Sequence, residues 1–358
     1  MIKIKEYELS KNSFGFNDLD NIFITFLSCN NILTLIYSSK NNSIISYNLN
    51  EFQIINEIKN AHEGVPITNF RHFFDKKKKI DLILSISSKK SNIRIWNNSN
   101  WELILNLENI YSLGKINSAC FLQSDINNIF IVTSNNYFFL SGSVGIFNLE
   151  GKMIKEIYDS KYNVYYIDTF INLNNSKIYI IACCYDYLIS YDYDKNIIYN
   201  KYHSENSKFH YSFKIISDEK IIKLIESSMD GNIRIWDFNS SELLKKINIS
   251  KNDLYSICIF NKKEIFVGTG NNSIILLNIE KEEIIKNISG FNNWICCINI
   301  IEHKKLDKCI IFQGVKNEQI KLYQIKDIIE SNIQMKKVKK NLLYASRFER
   351  VILAQGPC

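Results

Sequence analysis

Proline and glycine are scarce in this chain, with 2 and 12 among 358 residues, few for a sequence that must turn often. Asparagine takes over the turns, because it tolerates positive φ and bonds its own backbone. The pairs Asn41-Asn42, Asn127-Asn128, Asn135-Asn136, Asn174-Asn175 and Asn271-Asn272 stand where hairpins are expected. Arginine is limited to Arg71, Arg94, Arg234, Arg347 and Arg350, although 44 basic residues face 37 acidic ones for a net charge of +7. Arg forks are the usual holders of phosphates and base edges. A mild surplus made of lysine therefore reads as a solvated surface. No apolar run reaches membrane length, and the start, Met1-Ile2-Lys3-Ile4-Lys5-Glu6, has no signal-peptide core. The expectation is an intracellular protein, cytoplasmic or nuclear, with no membrane insertion.

Chemistry-bearing motifs are also missing. There is no C-x-x-C pair. Adjacent strand residues point to opposite faces, so neither Cys183-Cys184 nor Cys296-Cys297 converges on one metal. Cys29, Cys120, Cys258 and Cys309 fall in similar apolar runs, and all read as small buried hydrophobes of a reducing compartment. None of the five histidines (His62, His72, His203, His210 and His303) belongs to a His-Glu-x-x-His motif. Gly142-Ser143-Val144-Gly145 lacks the length and the lysine of a phosphate loop, and no Gly-x-Ser-x-Gly elbow is present. Asp192 and Asp194, like Asp81 and Asp168, read as solvated turn acids. The chain is expected to be non-enzymatic, without metal or cofactor.

What the sequence does contain is a repeat. Seven short segments end in a bulky residue at Tyr47, Trp96, Phe147, Tyr191, Trp236, Leu277 and Tyr323, each followed by Asn, Asp or Gln. The steps between them are 49, 51, 44, 45, 41 and 46 residues. A period of roughly 40–45 with a Trp-Asp signature marks four-stranded propeller blades. The predicted fold is all-β: a seven-bladed propeller of four-stranded antiparallel blades over residues 1–326, with these segments as third strands. Continuous apolar runs such as Ile178-Tyr179-Ile180-Ile181-Ala182-Cys183-Cys184 are assigned to inner strands, since such runs mean burial on both faces. Blade seven lacks a good outer strand, and the alternating segment 2–9 is expected to supply it and close the ring. Residues 327–358 show no blade pattern and form a basic tail, disordered or a docking segment.

At Asp230-Gly231-Asn232-Ile233-Arg234-Ile235-Trp236-Asp237 the chain resembles the WD40-repeat family. Asp230, Gly231, Trp236 and Asp237 match the turn and strand end of that repeat. Ala61-His62 resembles its Gly-His lead-in to an inner strand, and Trp96 its strand end, so these four positions, with His62 and Trp96, are read as structural. The resemblance implies a buried network of His, Ser, Trp and Asp. No blade shows all four members in sequence, because Glu226 stands at the Ser position of blade five and no clear Gly-His precedes that blade.

The expected function is recognition: a non-catalytic protein–protein interaction scaffold, a WD40-type adaptor in an intracellular multiprotein complex. Aromatic anchors dominate such docking. The loop leading into blade seven offers Phe291, Asn293 and Trp294. Neighbouring loops offer Asp253 and Tyr255, Phe209 and His210, Tyr162 and Tyr165, and Tyr111 and Lys115. The alternative is an RNA- or chromatin-associated subunit using Lys76-Lys77-Lys78-Lys79 and the basic tail. No Arg-Arg pair supports a phosphoinositide-reading propeller.

Overall fold

The computed structural model describes residues 7–8, 23–28, 32–39, 42–75, 77–87, 92–108, 110, 114–124, 128–137, 141–159, 163–205, 209–218, 221–291, 293–303, 307–314 and 320–326. Their strands form seven antiparallel sheets. Blade one is Phe23–Leu27, Leu33–Ser38, Ile44–Asn48 and Gln53–Ile58. Blade two is Asn69–Asp75, Ile80–Ser87, Asn92–Asn97 and Leu103–Leu107. Blade three is Ala119–Gln123, Ile129–Tyr137, Ser141–Asn148 and Met153–Asp159, with the short Gly114–Lys115 added beside its second strand. Blade four is Tyr166–Asn172, Lys177–Cys183, Tyr187–Asp192 and Ile197–His203. Blade five is His210–Ser217, Ile222–Ser228, Asn232–Asp237 and Leu243–Asn248. Blade six is Leu254–Ile259, Glu264–Thr269, Ser273–Asn278 and Glu283–Ser289.

Blade seven is completed from the other end of the chain. Ile295–His303, Asp307–Gly314 and Lys321–Gln324 are its first three strands, and Tyr7–Glu8 pairs antiparallel with the third, Tyr7 opposite Leu322 and Glu8 opposite Lys321. The ring is thus closed by the N-terminal segment, as the sequence pattern predicts.

The core is divided. Among the described residues, seven apolar clusters lie one at each blade–blade interface. The closing interface joins Phe23, Leu35 and Tyr47 of blade one to Cys297, Ile311 and Leu322 of blade seven. The cysteines at 120, 183, 184, 258, 296, 297 and 309 are free and buried. Burial pushes the Cys258 thiol up to about 11, which makes it a poor nucleophile.

Two assignments made from sequence change here. Ile178–Cys183 lies in the second strand of blade four, not its inner strand, and Cys184 follows directly after it. Second and third strands are covered by blades on both sides, whereas inner strands turn part of their surface to the axis, so the longest apolar runs sit in mid-blade. Asn135-Asn136 is not a turn but lies inside the strand Ile129–Tyr137. Asn136 Nδ2–H donates to Val164 O at 2.8 Å, and Val164 N–H donates back to Asn136 Oδ1 at 2.6 Å, so the side chain ties blade three to the loop before blade four.

The polar residue after each repeat end has a local cause. Asn48, Asn97, Asn148, Asp192, Asp237 and Asn278 accept backbone N–H groups from the hairpin that follows, as in Asn278 Oδ1 with Glu280 N (3.0 Å) and Lys281 N (2.9 Å). This is the Asx-turn role of a short amide or carboxylate. In six blades the pairing with the outer strand slips at the bulky residue: Tyr47, Trp96, Phe147, Tyr191, Trp236 and Leu277. The hairpin then passes through positive φ at Phe52, Trp101, Gly151, Asn196, Ser241 and Glu282. Blade seven has Gln324 instead. Its fourth strand, Tyr7–Glu8, comes from the N-terminal segment.

Outer strands begin with exposed apolar pairs in all six blades whose outer strands run on directly from the third: Ile54-Ile55, Leu103-Ile104, Met153-Ile154, Ile197-Ile198, Leu243-Leu244 and Ile284-Ile285. The edge strand has no neighbour beyond it, so both of its faces reach water there.

Two stability measurements test these connections. Deleting residues 1–10 lowers the melting temperature sharply, by roughly 5 °C or more, since it leaves blade seven with an open edge. An unchanged melting temperature contradicts ring closure. Asn278→Ala costs about 1 kcal/mol in urea denaturation; no measurable loss contradicts the capping role.

Candidate functional site

Antiparallel four-stranded blades place two sets of connections on one face of the ring: the loops leading into inner strands and the turns joining second to third strands. On this lead-in face, aromatic rings follow one another across four blades. Tyr185, in the second-to-third turn of blade four, meets Phe209 at 4.5 Å between ring centroids, and Tyr165 meets the same ring at 5.5 Å. Phe209 stacks with Tyr211 at 6.3 Å. Tyr211 contacts Tyr255 of blade six at 5.1 Å, and Tyr255 contacts Trp294 of blade seven at 5.6 Å.

Bulges aim these rings. His210 pairs with Ser228 and Ser212 with Ser227, so Tyr211 is an extra residue in its strand. Tyr255 is extra in the same way between Leu254 and Ser256. Tyr165 N–H donates to Cys183 O at 2.8 Å although Cys183 already pairs with Tyr166. A bulge turns a side chain off the alternating pattern, and bulges concentrate at strand ends where proteins re-aim a group. Phe209 adopts a positive φ of 50°, uncommon for a bulky residue, and Met229 N–H donates to its carbonyl at 3.1 Å.

Asp253 sits within this arc, half-buried. Its carbonyl accepts Gly270 N–H at 2.8 Å, and its Oδ2 accepts the Tyr211 hydroxyl at 3.1 Å. Burial first, then Asp253, pushes the phenols of Tyr211 and Tyr255 well above their ordinary range. Burial, then Tyr185, pushes Tyr165 up to about 12. All three hydroxyls therefore remain donors near neutral pH.

The residues singled out from sequence divide into two groups. Trp294, Tyr255, Asp253 and Phe209 come together in the arc. Trp294 is 43% exposed, and Asn293 supports it by accepting the Trp294 N–H at 3.0 Å. Two others do not present themselves. Phe291 is buried, with its ring edge-on to Phe312 at 4.8 Å, because it plugs the interface between blades six and seven. His210 is fully buried, with Nδ1 3.1 Å from Glu226 Oε2. Lys115 is exposed on blade three, apart from the arc, and Tyr111 and Tyr162 lie outside the described residues. Sequence reading missed Tyr211, Tyr185 and Met229. Tyr211 reads as an ordinary inner-strand residue until the bulge is seen.

The structural residues explain the repeat. In blade two, His62 Nε2 lies 2.8 Å from Ser85 Oγ, which also accepts Trp96 Nε1–H at 2.9 Å. Three members of the implied network are therefore present in one blade. Arg94 fastens it: Nη1 donates to Ala61 O at 2.5 Å, Nη2 to Glu63 Oε1 at 2.6 Å and Nε to Asn106 Oδ1 at 3.0 Å. In blade five His210, the first residue of the inner strand, faces Glu226 at the position of Ser85. Arg234, at the repeat position of Arg94, is buried between Glu226, Ser228 and Asp230. Because Glu226 replaces the serine, Trp236 Nε1 has no hydrogen-bond partner among the described residues, and its ring packs edge-on to Tyr202 instead. Gly231 turns at φ 74°, where a Cβ would stand 1.9 Å from Ser250 O. Asp237 caps the following hairpin.

Two of the turn acids are not solvated. Asp192 is buried, accepting Lys195 N–H at 2.9 Å with Lys177 Nζ at 3.5 Å, and Asp81 is buried against His72 Nε2 at 2.8 Å. Among the described residues, no group of three His, Cys, Asp or Glu side chains could hold a metal ion, and no helix is long and apolar enough to cross a membrane.

No protein-family model matches this chain, and no curated protein matches it. The class rests on architecture: the protein is a seven-bladed β-propeller of four-stranded antiparallel blades.

Burial and the nearby Arg94 guanidinium lower the His62 pKa from 6.5 to about 3. The unfolded chain binds this proton more readily than the folded one, so the stability that neutral His62 supplies is complete above pH 6.5 and is lost as the pH falls towards 3. Urea denaturation from pH 7.5 to 4.5 is expected to show the wild type losing up to about 1.4 kcal/mol per pH unit more than His62→Gln below pH 6.5. Parallel pH profiles contradict this assignment.

Proposed function

We propose that this protein is a non-catalytic interaction scaffold, a WD40-type adaptor in an intracellular multiprotein complex, that docks a protein partner on the lead-in face of blades four to seven. The observation that carries this reading is the unbroken series of ring contacts from Tyr185 to Trp294, flanked by Trp294 and Met229, each 43% exposed. Rigid aromatic side chains held by neighbours lose little freedom on binding and supply most of the energy of protein interfaces. The polar parts of the arc, Asp253 and the phenol hydroxyls, supply orientation.

The nucleic-acid reading has less support. Lys77, Lys78 and Lys79 are exposed on the hairpin between the first two strands of blade two, which projects from the opposite face of the ring. Asp75 caps that hairpin by accepting Lys77 N–H at 2.9 Å and Lys78 N–H at 3.1 Å, a local structural role. The basic tail lies outside the described residues.

Trp294→Ala is the test. Affinity purification of the tagged chain at high salt is expected to recover a defined partner set with the wild type. The variant should lose it, by tenfold or more in affinity, with the melting temperature within about 2 °C. Full retention of partners by a folded variant contradicts docking on this face. Partners recovered only through RNA, and lost at high salt, favour the nucleic-acid reading.

A further inference from the structure

Four acidic side chains inside this propeller are matched with cations. Asp192 faces Lys177, Asp230 and Glu226 face Arg234, and Asp81 faces His72. Asp253 differs from these. Among the described residues no Lys, Arg or His forms an ion pair with it, and its side-chain hydrogen-bond donor is the Tyr211 phenol, with the Tyr255 phenol close enough to feel its charge. Lys251, two residues earlier, is exposed. A carboxylate accepts about four hydrogen bonds, so the Tyr211 phenol leaves acceptor capacity open. Removing a carboxylate from water without a counter-charge is costly, and bound cations relieve that cost.

The surroundings favour a particular kind of cation. Tyr211, Tyr255 and Trp294 form a continuous aromatic wall beside the carboxylate. Ring faces carry negative charge density and attract a cation within about 6 Å of the centroid, Trp most strongly. The apolar stem of a long basic side chain packs on such rings while its head reaches the acid. The Tyr255 ring is largely covered, and Trp294 is the open end of the wall.

We propose that this arc is a pocket for a basic side chain, the Lys or Arg of a partner protein segment, with its head on Asp253 and its stem against Tyr211, Tyr255 and Trp294. The proposal rests on the docking reading above and adds the chemistry of the occupant.

The experiment uses the full chain and ligand-observed NMR titrations with three probes: Nα-acetyl-arginine amide, Nα-acetyl-lysine amide and, as the uncharged control, Nα-acetyl-norleucine amide. The two basic probes are expected to bind saturably, at least tenfold more tightly than the norleucine probe. Asp253→Asn weakens them tenfold or more while preserving the melting temperature. Glu282→Gln, which removes one charge from an exposed hairpin on the opposite face, leaves them unchanged. Trp294→Phe keeps a ring face and retains binding within about threefold, whereas Trp294→Ala loses it. The pocket is overturned if norleucine binds as well as arginine, if Asp253→Asn binds like wild type, or if Glu282→Gln weakens binding as much as Asp253→Asn does. Those outcomes overturn the basic occupant and leave the docking face standing if Trp294→Ala still loses the partner set; failure of the docking reading is instead read from partners that Trp294→Ala retains.

Discussion

Each blade is an open sheet that can bury its two apolar faces only against the blades beside it, and everything else in this structure depends on that constraint. The apolar clusters lie between blades rather than within them. The interface of blades four and five, for example, packs Tyr179, Leu188 and Tyr202 against Phe213, Trp236 and Phe238. With roughly 25 cal/mol per Å² of apolar area removed from water, an interface missing from the ring would expose two faces at once. Joining blade seven to blade one is therefore a condition of stability, and the Tyr7–Glu8 pairing with the third strand of blade seven couples that joint to the start of the chain.

Local rules serve the same end. The hairpins into the outer strands combine an Asx cap, a register slip at the bulky residue and, a few residues on, positive φ. The bulky residue stays in the interface while the chain turns sharply enough for the outer strand to pair. The buried polar groups tie segments together: Arg94 connects the lead-in loop of blade two to its outer strand, and Asn136 connects blade three to blade four. Blade five shows what happens when one member changes. Glu226 in place of serine pairs with Arg234 and leaves the Trp236 indole N–H without a partner among the described residues.

The lead-in face is where the regular pattern breaks. Bulges at Tyr211 and Tyr255 lift these side chains out of strand alternation, and Phe209 turns at positive φ to meet them. Such departures cost local pairing and are stable because the blades around them are rigid. The result is a row of rings beside a carboxylate.

The amino-acid sequence by itself determined the number of blades, the position of every third strand and the source of the closing strand. Those features follow from periodicity and hairpin chemistry, which act over a few residues and leave a mark in each repeat. It also pointed to Trp294, Tyr255, Asp253 and Phe209, because aromatic and acidic residues in lead-in loops stand out against the apolar strands. Only the tertiary structure decided which of them meet. Phe291 and His210 carry the same sequence signal as Trp294 and Phe209, yet one fills an interface and the other is sealed beside Glu226. Tyr211 joined the arc through a one-residue slip, and in a strand of period two such a slip moves a side chain from one surface to another. Burial and bulge position depend on contacts between blades some forty residues apart, and no local pattern encodes them.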